Sequence, residues 1–244
     1  MTALRRSRDR KVTNSVTASG NAKGFNSFGL PSGMDYSCPG QTSVCAKVCY
    51  AGKLEKVYKG VRALLLHNWE LLKNADIPTM ETLIRDMITD FVSETDNAIA
   101  KGNTASYDFR IHWDGDFFSA DYATAWANVI REFPNVRFWA YTRTFTVVSI
   151  LAGIDNLSLY LSADSENMEK AIAIASEFPG VMLATLGDTF DEAKNAITVE
   201  GRKTYKCPEN RGSIPLISAK GSACIACGIC PANRGDVLFS VSKR

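Results

Sequence analysis

Val136-Arg137-Phe138-Trp139-Ala140-Tyr141-Thr142-Arg143 is a short run of β-branched and aromatic residues that ends on a polar Thr-Arg pair. It is too short for a stable helix and rich in side chains that suit a pleated surface, so it reads as a strand. Similar runs occur at residues 107–112, 157–162, 181–185 and 203–206. Between them, apolar residues recur at helical spacing over 120–133, 145–152, 166–178 and 190–199. Ser119 and Ser165 stand where helix caps belong, and Thr189 with Glu192 has the spacing of a capping box. Strands alternating with helices imply βαβ units and a parallel sheet. With an extended segment at 24–30 the number of strands comes to six, which predicts an α/β fold of the partial (β/α)6 TIM-like barrel type. An open doubly wound parallel sheet is the alternative.

The chain has 244 residues, a size that suits one α/β domain, and its net charge is only +2. Nothing in that balance demands a nucleic-acid partner, and binding of nucleic acid or of a host protein through a local patch is left open. The expected organisation is a basic flexible arm at 1–20, a partial barrel at 21–206 and a Cys-rich segment at 207–244 that closes the barrel mouth. Two further helices are expected at 57–74 and 80–100, with His67 a packed residue of the first. No apolar run has membrane-spanning length, and Arg5, Arg6, Arg8 and Arg10 are followed by no signal-like segment. The expected location is a reducing cytoplasm, where clustered thiols read as metal ligands before disulfides.

There are seven cysteines. Cys38, Cys45 and Cys49 lie in a loop rich in Pro, Gly and Ser, in the pattern C-x6-C-x3-C. Cys207 follows the strand at 203–206, and Cys224-Ile225-Ala226-Cys227-Gly228-Ile229-Cys230-Pro231 has the tight thiol spacing and terminal proline of ferredoxin-type ligation. The simplest partition gives the first three to a cluster with an open iron and the last four to a closed second cluster. A single shared cluster is the rival partition, and a four-thiolate zinc site the rival metal, because thiolates alone do not separate zinc from iron–sulfur.

In parallel α/β folds chemistry collects where strands exit at their carboxyl ends. The exits here carry His112, Asp114 and Asp116, then Tyr141 and Arg143, then Ser162 and Asp164. His112, Asp114, Asp116 and Arg143 are the candidate catalytic groups. Asp114, Asp116, Tyr141, Arg143, Ser162 and Asp164 are the candidates for holding a cofactor, since carboxylates suit amines and hydroxyls and an exit arginine suits carboxylate or phosphate.

The chain resembles the phage gene product eighty-eight domain family of actinobacteriophages. The resemblance rests on Ser37-Cys38-Pro39-Gly40 with Cys49-Tyr50-Ala51, Arg110-Ile111-His112 with Gly115-Asp116-Phe117, Tyr141-Thr142-Arg143 and the C-terminal cysteines. It implies a bacteriophage protein that works in the host bacterial cytoplasm. More distantly the arrangement is similar to radical S-adenosylmethionine enzymes. Those have a partial barrel with three cysteines after the first strand, a [4Fe-4S] cluster whose open iron takes S-adenosylmethionine, and in some cases a C-terminal auxiliary cluster. The spacing here departs from their C-x3-C-x2-C.

Overall fold

The computed structural model describes residues 3–7, 9–12, 15–16, 22–23, 26–218 and 221–242. The other residues of the basic arm, and Gly24 and Phe25 of the expected first strand, lie outside the described residues. Leu4, Ser7 and Val12 of the arm are buried, so its described part lies against the domain. A small antiparallel pair, β1 (Ser15–Val16) with β2 (Ala22–Lys23), follows.

Next come α1 (Ser43–Val48), α2 (Tyr50–Val57), α3 (Lys59–Leu72) and α4 (Ile77–Ala100). The thiol segment expected to be loop is thus largely helical, because its polar residues act as caps. Thr42 Oγ1 accepts from Cys45 N at 3.0 Å to start α1, and Cys49 Sγ accepts from Gly52 N at 3.3 Å to start α2. At α4, Asp76 Oδ1 accepts from Thr79 N at 3.0 Å and Pro78 sits in the first turn, where its missing N–H costs nothing. The expected helix break at 74–78 is therefore partly a helix start.

Strand and helix then alternate: β3 (Asp108–Ile111), α5 (Ala120–Glu132), β4 (Arg137–Thr142), a 3-10 turn into α6 (Val148–Leu151), β5 (Leu157–Ala163), α7 (Met168–Glu177), β6 (Met182–Gly187), α8 (Phe190–Asn195) and β7 (Thr204–Lys206). The capping box of Thr189 and Glu192 at α8 is present. The C-terminal segment adds a short antiparallel pair, β8 (Ile217–Ser218) with β9 (Gly221–Ser222), then α9 (Ala223–Cys227) and β10 (Asp236–Ser240). The sheet has six strands in the order β3-β4-β5-β6-β10-β7, and every pair is parallel. Residues 26–30 extend it beyond β3, with Phe28 N donating to Arg110 O at 3.1 Å and Arg110 N to Asn26 O at 2.9 Å. The fold is α/β on a parallel sheet.

β10 is the strand of the six-stranded sheet that is absent from the sequence-based expectation. The Cys-rich segment does more than cap the sheet, because its last residues enter between β6 and β7. Period-two alternation then divides the two faces. Leu157, Leu159, Leu161 and Ala163 of β5 join the main core with residues of α4, α5 and α7. Tyr160 faces the other way and packs with Ala184, Val237 and Cys230. On that side Ser158 Oγ donates to Pro231 O at 3.2 Å, and Tyr160 Oη to Gly235 O at 3.3 Å. The step from β7 back to β10 reverses the direction of strand addition, so a right-handed crossover runs over the face opposite the main helices. This puts the C-terminal cysteines over the sheet.

Candidate metal centre

A cavity of about 640 Å³ opens on that face, and its wall includes Cys38, Cys45, Cys49, Cys207, Cys224, Cys227 and Cys230. All seven are free thiols and partly exposed; Cys49, Cys207 and Cys230 also pack against small apolar clusters beside the cavity. Cys207 N donates to Leu238 O at 2.9 Å and so continues the pairing of β7 with β10. Cys224 and Cys227 are one turn apart on α9, and Gly228 at φ 65° ends the helix in the left-handed region, from which the chain turns towards Cys230. At the other end Gly40 lets the thiol segment approach β4's exit closely: a Cβ there would lie 2.2 Å from the Arg143 carbonyl oxygen.

Cys207, Cys224 and Cys230 each feel other C-terminal thiols, and Cys45 feels Cys49, whereas Cys38 feels carboxylates. Burial is the first cause raising each shifted thiol. After it, Cys45 is pulled down by Arg143 and pushed up by Cys49, Cys207 is pushed up by Glu209 and Cys227, Cys224 by Cys230, Asp9 and Cys207, and Cys230, which reaches about 12, by Cys207 and Cys227. Cys38 is raised by burial and then by Asp116. Metal-free, these thiols are held neutral, and coordination would deprotonate them. Among the described residues, no three His, Cys, Asp or Glu side chains converge on one ion-sized point.

The other candidates divide. Asp164, fully buried, accepts from Arg143 Nη1 and from Thr42 Oγ1, each at 2.6 Å, and so ties the β4 and β5 exits to the α1 cap that positions Cys45. Asp116 accepts from Thr142 Oγ1 at 2.6 Å, Arg143 N at 2.7 Å and Phe117 N at 2.7 Å. Burial raises it to about 6 against those three donors. Its oxygens are committed to shaping the wall. Ser162 and Tyr141 line the cavity, and Tyr141 lowers the proton affinity of the Cys230 thiol. His112 has a positive φ of 59°, and its Nε2 lies 2.9 Å from the Tyr122 hydroxyl, with its ring packed on Phe117. Burial lowers it to about 3, so it stands neutral within an aromatic cluster beside the cavity.

Asp114 is 3% exposed and its Oδ2 has no donor. Burial first, and the Glu55 carboxylate second, raise it to about 8. A proton on Asp114 supplies the missing donor. Glu55, itself buried, is held by Ser32 N at 2.9 Å and Ser32 Oγ at 2.5 Å. A raised carboxyl keeps its proton in the fold after the unfolded chain has lost it, so stability falls as pH rises from about 4 to about 8. Asp116 contributes in the same sense up to about 6. His112 contributes in the opposite sense between about 3 and 6.5. Among the described residues with a shifted carboxyl or imidazole, Asp114 is the one that acts from 6.5 to 8. The unfolding free energy of the metal-free chain in urea should fall across that window by up to about 1.4 kcal/mol per pH unit, and Asp114→Asn should flatten the slope. An equal slope in the variant would refute the assignment.

Sequence reasoning missed Glu55, Arg110, Asp9 and Lys11. Glu55 precedes the helix expected at 57–74 and falls on α2 instead, and Arg110 sits inside a strand whose thiol-side face only the β7–β10 crossover reveals. Asp9 and Lys11 fall in a tail that carried no apolar signal.

The comparisons with known proteins agree with one another. The family model described as Gene product 88 matches residues 2–233. The chain is 50% identical over 250 residues to the Gene 88 protein of Mycobacterium phage L5, and 51% identical over 251 residues to the Gene 88 protein of Mycobacterium phage D29, with all of each chain covered. No solved structure matches. The chain belongs to the Gene product 88 family of phage proteins.

Proposed function

We propose that the cavity is an iron–sulfur site. Cys38, Cys45 and Cys49 are assigned to a [4Fe-4S] cluster with one iron free of thiolate, and Cys207, Cys224, Cys227 and Cys230 to a second, closed cluster. The observation that carries this reading is that every cysteine, drawn from both ends of the chain, lines one cavity. The donor set fits the group. A single tetrahedral zinc with bonds of about 2.3 Å draws its thiolates to about 3.8 Å of one another. A four-iron cube carries each thiolate on a separate iron and so accepts thiols more widely spread.

Such centres supply electron transfer and, at an open iron, a Lewis-acidic position for a small ligand. The ligand we assign there is S-adenosylmethionine, sulfide or a substrate, the first on the radical S-adenosylmethionine resemblance alone. The chain's own part is to shape and charge the wall: Arg143, fixed by Asp164, offers a cation; Asp114 offers a proton; Tyr141 and Ser162 offer hydroxyls. On the same reading β3 to β6, added in sequence order, are the arc of a partial barrel whose inner side is the cavity, working in the reducing host cytoplasm. No helix of the described residues is long and apolar enough to cross a membrane. Adding S-adenosylmethionine to the dithionite-reduced protein should change its paramagnetic resonance spectrum, and an unchanged spectrum would remove that ligand from the proposal.

A further inference from the structure

Arg110 is a strand residue whose side chain is only 13% exposed, and it lies in the cavity wall with the C-terminal thiols. Its Cζ stands 5.2 Å from the centre of the Tyr141 ring, which packs in the same apolar cluster as Cys230. Its Nη1 reaches Asp9 Oδ2 at 3.2 Å, a long contact for an ion pair, and its Nε is buried with no partner. The arm that brings Asp9 is itself fastened to the thiol segment. Lys11 O accepts from Cys224 N at 2.8 Å, and Lys11 Nζ meets Glu209 at 2.9 Å. A buried guanidinium served by one stretched carboxylate is a costly arrangement unless a further anion faces it.

We propose that Arg110 is the counter-charge of the centre held by Cys207, Cys224, Cys227 and Cys230, and that Asp9 on the N-terminal arm attenuates it. This inference rests on the iron–sulfur reading. Four thiolates and their cluster carry net negative charge, and each added electron deepens it. A fixed cation in a medium of low dielectric therefore favours the reduced state, and a carboxylate beside that cation opposes it. Arg110 and Asp9 are positioning residues: neither ligates iron.

The test is potentiometry of the full-length, anaerobically purified protein. One electron from dithionite reduces the centre, monitored by visible absorption and paramagnetic resonance, with iron and sulfide measured on each sample. Arg110→Gln should make reduction about tenfold less favourable, about 59 mV for a one-electron couple. Arg110→Lys should retain most of the wild-type potential. Asp9→Asn, at the rim and least disruptive to folding, should move the potential the other way by a smaller amount. Shifts of opposite sign are the signature, since a merely structural role would move both variants together. Iron-loaded Asp9→Asn with a lowered or unmoved potential would overturn the inference alone. A wild type without iron would overturn the iron–sulfur reading and this inference with it.

Discussion

Asp236→Ala should lower the stability of the chain by about 3–5 kcal/mol, the range for removing one partner of a buried ion pair. Asp236 is 1% exposed at the start of β10. Its two oxygens accept from Arg202 Nε at 2.6 Å and Nη2 at 2.7 Å, and Oδ1 also accepts from Leu183 N at 2.8 Å on β6. One carboxylate therefore fastens the late strand to its neighbour and neutralises the segment leading into β7. Alanine would leave Arg202 without its counter-charge and a buried amide without an acceptor. Asp236→Asn keeps the shape and one acceptor oxygen and should recover part of the loss. Urea unfolding followed by circular dichroism measures both, and an alanine variant within 1 kcal/mol of wild type would show that β10 is held by its apolar side chains instead.

Asp164→Ala should have a comparable cost, about 3–5 kcal/mol, with a second consequence at the metal site. Arg143, whose side chain is 11% exposed, would lose its partner at 2.6 Å. Thr42 Oγ1 would lose its acceptor while still capping Cys45 N. The N-terminal thiol segment thus loses its buried tie to the sheet and keeps the exposed contact of Ser43 N with Glu166. Iron bound by the N-terminal group should fall markedly in protein that remains folded, while that bound by the C-terminal four thiols stays. Equal loss from both groups would indicate general unfolding, and retention of all iron would show that Asp164 does not support the first site.

Much of the α/β alternation was legible because β-branched and aromatic runs end on polar exits, as in 136–143, and because caps such as Ser119 and Thr189 mark helix starts. The thiol segment misled because Thr42 and Cys49 look like loop residues until their oxygen and sulfur are seen accepting amide hydrogens. β10 was hidden for a different reason. Val237-Leu238-Phe239 is a short apolar run next to a conspicuous cysteine motif, and only its pairing between β6 and β7 shows it to be an interior strand. The site was partly readable: the exits at Asp116, Tyr141, Arg143, Ser162 and Asp164 do meet around one cavity or brace it. Glu55 and Arg110 were not readable, because which side of an amphipathic element faces a cavity is decided by crossovers far along the chain.

Iron and acid-labile sulfide analysis of the anaerobically purified wild type, beside a variant with Cys38, Cys45 and Cys49 all changed to alanine, tests the central claim most directly. The account predicts a brown wild type with several irons and sulfides per chain, and a variant that keeps the C-terminal centre and loses the rest. A colourless wild type containing only zinc would contradict it.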